Sequence, residues 1–446
     1  MKRYNGQKML VAGLGASGVA ALRYLLSEGA DVAVWDATGT PPKLAEISDK
    51  ISAANNLCGK RINELPLKAY QTTVLSPGIS LASDLAVALQ AAGVEIIGDI
   101  ELFARAANDA GVPVIGITGS NGKSTVTTLV GEMAKAAGLR VGVGGNLGPP
   151  ALDLLQPDAQ LYVLELSSFQ LETTTSLRCK AATILNLSQD HLDRHVTMEH
   201  YGRIKATVFN HCEHSIANRD DAAVMALSPT SAITFGIDKP AAQQYGLAET
   251  AQGLSLAHGE EIVLPQSALK IFGLHNAANA LAALALADAA GIPRAASVIA
   301  LKAFAGLSHR CEFVAEVAGV AYFNDSKGTN VGSTVAAING LPAPIVWLAG
   351  GQGKGQDFSE LAEPLARKGR AAILFGEDAA KIESDIAGAL PVYREVDMFA
   401  ALKRAHGIAV SGDRVLLSPA CASFDQFKSY VDRGEKFRAA VKELAA

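Results

Sequence analysis

The chain has 446 residues, 49% of them hydrophobic, so it can bury more than one core and should divide into two to four domains. A net charge of −5 leaves no basic stripe for nucleic acid and no polybasic run for a membrane surface. Five scattered cysteines (Cys58, Cys179, Cys212, Cys311 and Cys421), never in a C-x-x-C pair, argue against a disulfide framework and a zinc site.

The opening Met1-Lys2-Arg3-Tyr4-Asn5-Gly6 lacks the apolar core of a signal peptide, and no apolar window is long enough to span a bilayer. A cytoplasmic monomer is expected. Lys8 to Ala12 reads as a strand, followed by a turn with Gly13, Gly15 and Gly18 and a helix through Leu26. A second strand, Asp31 to Trp35, is closed by Asp36. This G-x-G-x-x-G with a following acid suggests NAD, but the same geometry serves any nucleotide diphosphate, and a purely structural tight turn remains open. Further strands are expected at Thr72 to Leu75, ending in Ser76-Pro77-Gly78, and at Val94 to Ile97.

A second block starts near Asp99. The apolar run Val112 to Ile117 leads into Thr118-Gly119-Ser120-Asn121-Gly122-Lys123-Ser124-Thr125, then a helix over Val126 to Ala137. Strand, glycine-rich turn and helix start form an anion cradle, with Lys123 adding charge and Ser124 or Thr125 a hydroxyl for Mg²⁺. The strict P-loop spacing fails at Ile117, but the context is met, and ATP binding is the reading; the alternative is an ordinary turn with a surface lysine. Glu165 lies inside the apolar strand Leu161 to Leu166, where a carboxylate must be paired or hold a cation. Another strand, Ala182 to Asn186, precedes Ser188-Gln189-Asp190-His191-Leu192-Asp193-Arg194-His195, in which His191 either binds metal or caps a turn. Lys205, in the helical stretch Tyr201 to Ala206, reads as solvent-facing. Ser215 to Leu264 reads as a small inserted or packed sheet, and His275 to Ala290 as an alanine-rich helix.

A third block begins near Ser308, with strands at Val320 to Phe323, Ile345 to Leu348, Ala371 to Phe375 and Arg414 to Leu417. Three polar loops follow strand ends: Asn324-Asp325-Ser326-Lys327-Gly328-Thr329-Asn330, Leu348 to Gly355, and Ser418 to Phe427. Lys327 and Lys354 with their neighbouring donors suit a small dianion, and open parallel sheets bind ligands at that edge.

The Thr118 to Thr125 turn, Gly273-Leu274-His275-Asn276-Ala277-Ala278-Asn279 and the third-block loops together resemble the Mur ligases of peptidoglycan synthesis. The likeness runs from Gly13 to Phe437. The 324–330 and 418–423 loops look like those of the D-glutamate-adding branch.

The resemblance implies an α/β fold of three domains: a Rossmann-like UDP-substrate domain (1–98), a central P-loop-type mononucleotide-binding ATPase domain (99–307) and a C-terminal Rossmann-like domain for the incoming amino acid (308–446). It implies that the carboxylate of UDP-N-acetylmuramoyl-L-alanine is phosphorylated by ATP, and that the acyl phosphate is captured by D-glutamate. Closure of the last domain is expected at hinges near Leu307 and Ser308.

By alignment, Gly119, Ser120, Asn121, Gly122, Lys123, Ser124, Thr125, Asn276, Asn279, Arg310 and Asp325 would bind ATP. Ser124, Thr125, Glu165, His191 and Lys205, the last carbamylated by CO₂, would hold Mg²⁺, with Lys123, His191 and Lys205 the catalytic set. Gly13, Gly15, Ser17, Gly18, Asp36, Ser76, Gly78, Asn146 and His191 would grip the UDP substrate rather than NAD. Lys327, Thr329, Lys354 and Ser423 would take D-glutamate. The chain departs from the family at Ala16, Ser17 and Ala37, where leucine, threonine and threonine are expected, at Gly328 for alanine and at Tyr430 for phenylalanine.

Overall fold

A computed structural model describes residues 2–190 and 192–444. Three sheets follow one another along the chain. The first contains β1 (Lys8–Ala12), β2 (Asp31–Trp35), β3 (Thr72–Leu75) and β4 (Glu95–Ile97), all parallel in the order β2-β1-β3-β4. Their residues are almost wholly buried, as expected of strands covered by helices on both faces. The strand order reverses between β1 and β3, so the crevice lies beyond their C-terminal ends, at the Gly13 turn and the Ser76 loop.

The central sheet has nine strands. These are β5 (Val114–Thr118), β6 (Val141–Gly145), β7 (Leu161–Glu165), β8 (Cys179–Ile184), β9 (Cys212–Asn218), β10 (Ile233–Phe235), β11 (Tyr245–Thr250), β12 (Gly253–His258) and β13 (Glu261–Pro265). Their order is β13-β12-β11-β10-β9-β8-β5-β7-β6, with β12 antiparallel to both its neighbours. The Ser215 to Leu264 region is therefore not a separate sheet. It continues the central one through the β9–β10 and β10–β11 pairings, which no local pattern encodes. The alanine-rich Leu274–Ala289 helix packs on this sheet, and its small side chains let it approach closely enough to be buried along most of its length.

The third sheet comprises β14 (Glu312–Val317), β15 (Val320–Asn324), β16 (Ile345–Gly350), β17 (Gly369–Phe375), β18 (Val392–Arg394) and β19 (Arg414–Leu417), in the order β14-β15-β19-β16-β17-β18. Only β14 is antiparallel. Two buried polar groups tie its strand-end loops together. Arg433 is fully buried; its guanidinium donates to Ser326 Oγ at 2.9 Å, to the Ser326 carbonyl at 2.9 Å and to the Cys421 carbonyl at 3.1 Å. Asp325 accepts from Ser418 Oγ at 2.7 Å and from the Cys311 backbone N–H at 3.0 Å.

Burial pushes the Asp325 carboxyl up to about 7, against the pull of these two bonds and of Arg310 and Arg433. The unfolded chain would titrate it near 4, so between about pH 4 and 7 the folded state binds the extra proton. The stability that Asp325 contributes is thus full below about 4 and lost as pH rises through about 7. Asp325→Asn removes this dependence. In urea unfolding at pH 5, 6, 7 and 8, the stability of the wild type minus that of the variant should fall steadily as pH rises, and a flat difference would contradict the buried protonated carboxyl.

Candidate functional site

The phosphate turn follows β5. Its helix runs Lys123–Ala136, three residues longer at its start than the sequence suggests. Gly122 is its N-cap with φ 83°, a left-handed conformation that glycine adopts without cost, and a Cβ there would lie 2.5 Å from Asn279 Oδ1. Lys123, Ser124 and Thr125 consequently occupy the first helical turn, where N–H groups have no intrahelical acceptor and the helix dipole favours an anion.

The turn is held from outside. Ser120 N–H donates to the Asn186 carbonyl at 2.9 Å, and Asn121 N–H to Asn186 Oδ1 at 2.8 Å. Ser120 Oγ donates to the Ser188 carbonyl at 3.0 Å, accepts from Ser188 N–H at 2.9 Å and lies 3.2 Å from the Tyr201 hydroxyl. β8 ends at Ile184, two residues earlier than expected, which frees Asn186 for this task. Asn276 and Asn279 sit beside Gly122 on the Leu274–Ala289 helix, joined by a 3.2 Å bond from Asn279 Nδ2 to Asn276 Oδ1.

Lys123 Nζ donates to the carbonyls of Gly119 at 2.8 Å and Ser120 at 2.9 Å. The side chain keeps some contact with solvent, yet the protein packed around its ammonium pushes its pKa below the usual lysine range. Lys205 overturns the solvent-facing reading: it is 1% exposed, donates to Thr118 Oγ1 at 3.2 Å and the Gly119 carbonyl at 3.0 Å, and lies 4.7 Å over the Tyr201 ring. Burial, and then the nearby Lys123 charge, push its pKa well below that of an ordinary lysine. Helical periodicity carried no signal for this, because the contact is made across the sheet.

Glu165 is 3% exposed at the end of β7. Its Oε1 accepts from Asn146 Nδ2 at 2.6 Å, while Oε2 is buried with no hydrogen-bond partner among the described residues. An orphaned buried carboxylate oxygen suits a hard divalent cation, which takes oxygen ligands and needs few from the protein. Among the described residues no group of three or more His, Cys, Asp or Glu side chains could form a metal cage. His191, assigned to the metal, the UDP substrate and catalysis, lies outside the described residues.

The third sheet reaches into this site. Arg310 Nη2 donates to Ser124 Oγ at 2.7 Å, joining the segment before β14 to the phosphate helix, and Asp325 lies behind it. Lys327 stands 4.1 Å over the Tyr430 ring; burial, with Arg310 adding repulsion, lowers its pKa to about 8. Gly328 explains its departure from alanine, since a Cβ would lie 2.5 Å from Asp325 Oδ2. Ser423 is buried, Thr329 is half-buried, and Lys354 is exposed with φ 52° and bonded to no other described side chain.

At the first sheet, Gly18 allows the turn to close on itself, because a Cβ there would sit 1.9 Å from the Gly13 carbonyl. Gly15 caps the following helix and faces open space, as does Gly78 on the β3 loop. Asp36 accepts from Leu14 N–H at 2.9 Å and from Thr38 N–H and Oγ1, both at 3.0 Å. Burial alone would raise its pKa, but these bonds win and hold it below the usual carboxylate range. Ser17, in the first turn of that helix, and Ser76, beside Gly13, complete this rim. Asn186 and Ser188 belong to the polar segment that the sequence places at the phosphate turn, but Arg433 and Tyr201 escaped the sequence reading; a buried arginine in a C-terminal helix looks like a surface residue until the fold is known.

Comparison with known proteins agrees with this architecture. The chain matches the Mur ligase MurD-like N-terminal domain over residues 7–98, the Mur ligase middle domain over 117–287 and the Mur ligase glutamate ligase domain over 309–421. It is 49% identical to the UDP-N-acetylmuramoylalanine–D-glutamate ligase of Pseudomonas aeruginosa, covering 98% of each chain. It is 47% identical to the enzyme of that name from Nitrosococcus oceani, covering 98% of this chain and 96% of the other. Among solved structures it superposes on a pseudomurein peptide ligase type C from Methanothermus fervidus with a TM-score of 0.60 at 18% identity, covering 98% of this chain and 100% of that one. It also superposes on the UDP-N-acetylmuramate–alanine ligase of Thermotoga maritima with a TM-score of 0.58 at 16% identity, covering 98% and 99%. Among the described residues no helix is long and apolar enough to cross a membrane. With three consecutive domain matches and near-half identity along its length, the chain belongs to the Mur ligase family.

Proposed function

We propose that this chain is an ATP-dependent ligase that adds D-glutamate to UDP-N-acetylmuramoyl-L-alanine in peptidoglycan precursor synthesis, acting as a cytoplasmic monomer. The observation that carries the chemistry is the meeting of Lys123 and Arg310, from two domains, at the first turn of one helix. The acceptor and the amino acid follow from the relatives' names and their near-full coverage of this chain.

A carboxylate oxygen of the UDP substrate attacks the γ-phosphorus of ATP, ADP leaves, and an acyl phosphate forms. The D-glutamate amine then attacks the acyl carbon, loses a proton, and phosphate departs from the tetrahedral intermediate. Phosphoryl transfer needs positioning and charge compensation more than covalent help. Lys123 and the N–H groups of Gly122 to Thr125 hold the β- and γ-phosphates, and Arg310 exchanges the Ser124 hydroxyl for a phosphate oxygen. Asn276, Asn279 and Asp325 complete the nucleotide site. Gly13, Gly15, Ser17, Gly18, Asp36, Ser76, Gly78 and Asn146 receive the UDP substrate.

Lys327, Thr329, Lys354 and Ser423 take the two D-glutamate carboxylates. Closure of the last domain, 308–446, on 99–307 would carry these four residues together towards the ATP site. His309 at φ 64° and Cys311 at φ 47° flank Arg310 and place a left-handed backbone near this hinge.

Ser124, Thr125 and Glu165 would hold Mg²⁺, which when bound offsets charge on the transferring phosphoryl group. Burial pushes the Lys205 amine towards its neutral form, the form that adds to CO₂. Its nitrogen would bond the carbon, release a proton and become an anion able to face a cation.

Phosphate release from ATP and Mg²⁺ with UDP-N-acetylmuramoyl-L-alanine should appear with D-glutamate, and not with L-glutamate, L-alanine, L-lysine or meso-diaminopimelate. Turnover with another amino acid, or with none, would refute the assignment. Lys123→Ala should abolish turnover while leaving the circular dichroism spectrum unchanged; retained activity would remove Lys123 from the phosphate site. Lys205→Ala should be nearly inactive and partly restored by acetate, and wild-type rates in that variant would end the carbamate proposal.

A further inference from the structure

Arg194 lies in the short Leu192–His195 helix that ends the loop after β8. Its guanidinium donates to the carbonyls of Pro77 at 2.7 Å and Ile79 at 3.2 Å, both on the loop that follows β3 in the first sheet. It also donates to Glu172 Oε2 at 2.6 Å and lies 4.4 Å over the Phe169 ring, both beyond β7 of the central sheet. The Arg194 side chain is only 11% exposed and that of Glu172 only 8%. The contact is therefore a desolvated, charge-assisted fork between two domains, not a surface ion pair.

The loop it grips carries Ser76 and Gly78. A Cβ added at Gly13 would lie 2.7 Å from Ser76 Cβ, so this loop forms one wall of the glycine turn after β1. Upstream of Arg194, the same segment contains Ser188, which bonds Ser120 and Asn121 of the phosphate turn. We propose that Arg194 is a positioning residue that locks the Ser76–Ile79 loop in its substrate-receiving shape and registers it against the phosphate turn. One planar fork serves two carbonyls and a carboxylate, which a lysine ammonium cannot reproduce. The substrate named in the test rests on the activity proposed above; the clamp itself rests only on these contacts.

The test compares wild type with Arg194→Lys and Arg194→Met in the full chain. Losing charged hydrogen bonds that hold the loop should raise KM for UDP-N-acetylmuramoyl-L-alanine about tenfold or more. KM for ATP and for D-glutamate should stay within about twofold, and kcat within about threefold. Arg194→Lys keeps a charge opposite Glu172 and carries the test if Arg194→Met fails to fold. The Ile79 amide is bonded within the loop to the Ser76 carbonyl at 2.9 Å, so its hydrogen exchange reports loop opening without any ligand. It should exchange about tenfold faster or more in both variants. An unchanged KM for the UDP substrate, or equal shifts in all three KM values, would overturn the inference. If the wild type does not turn over this substrate, the proposed activity fails, and the exchange comparison alone decides: faster Ile79 exchange sustains the clamp and unchanged exchange removes it.

Discussion

A turn that binds an anion through its N–H groups cannot also spend them on its own backbone. The segment Gly119 to Gly122 therefore has to be shaped by groups outside it, and much of the central domain follows from that need. Asn186 and Ser188 hold it on one side, Asn279 closes on Gly122 from another, and two lysines take up its carbonyls. These partners come from the loop after β8, the Leu274–Ala289 helix, the turn's own helix and the Met198–Ala206 helix, so the turn is only as well formed as the packing of the nine-stranded sheet and the helices around it. Preorganisation of this kind matters because donors that are already aimed need no rearrangement when charge develops.

The same constraint concentrates positive charge. Lys123, Lys205, Lys327 and Arg310 gather here; burial is the largest influence on all three lysines and pushes each towards the neutral form, with Glu165 and Asp190 pulling the other way. Such an arrangement is costly in isolation and favourable once a polyanion arrives. Glu165 is the counterpoint: one of its oxygens is buried without a hydrogen-bond partner among the described residues, which costs stability unless a ligand satisfies it.

What could be read from sequence was local. β1, β2, β3 and β19 were legible to the residue, because strands buried on both faces are continuous apolar runs cut off by Gly, Pro or polar residues. The Lys123–Ala136 helix was misplaced at its start because Lys123 to Thr125 look like loop until Gly122 is known to be the left-handed cap. The Ser215 to Leu264 strands were visible as strands, but their membership in the central sheet depends on pairings such as Ile233 with Ile216. Lys205 and Arg433 were misjudged or passed over for one reason: charge predicts exposure only until partners from other elements are supplied. Recognition of the family motifs, rather than periodicity, is what pointed to Lys205.

On the proposed function, the interdomain contacts would let one turn coordinate three substrates. Arg310 reaches the Ser124 hydroxyl from the third domain, while Ser188 carries the turn's register towards Arg194 and the first domain. Gly332, at the start of a third-domain helix, also packs so closely on Ser188 and Asn121 that an added Cβ would lie 3.0 Å from Ser188 Oγ. The turn is therefore touched from both flanks by segments that link it to the other two domains. On the proposed function, Arg310 exchanges the Ser124 hydroxyl for a phosphate oxygen when the turn fills. A nucleotide would then act on the third domain directly, through one exchanged hydrogen bond, without deforming any sheet.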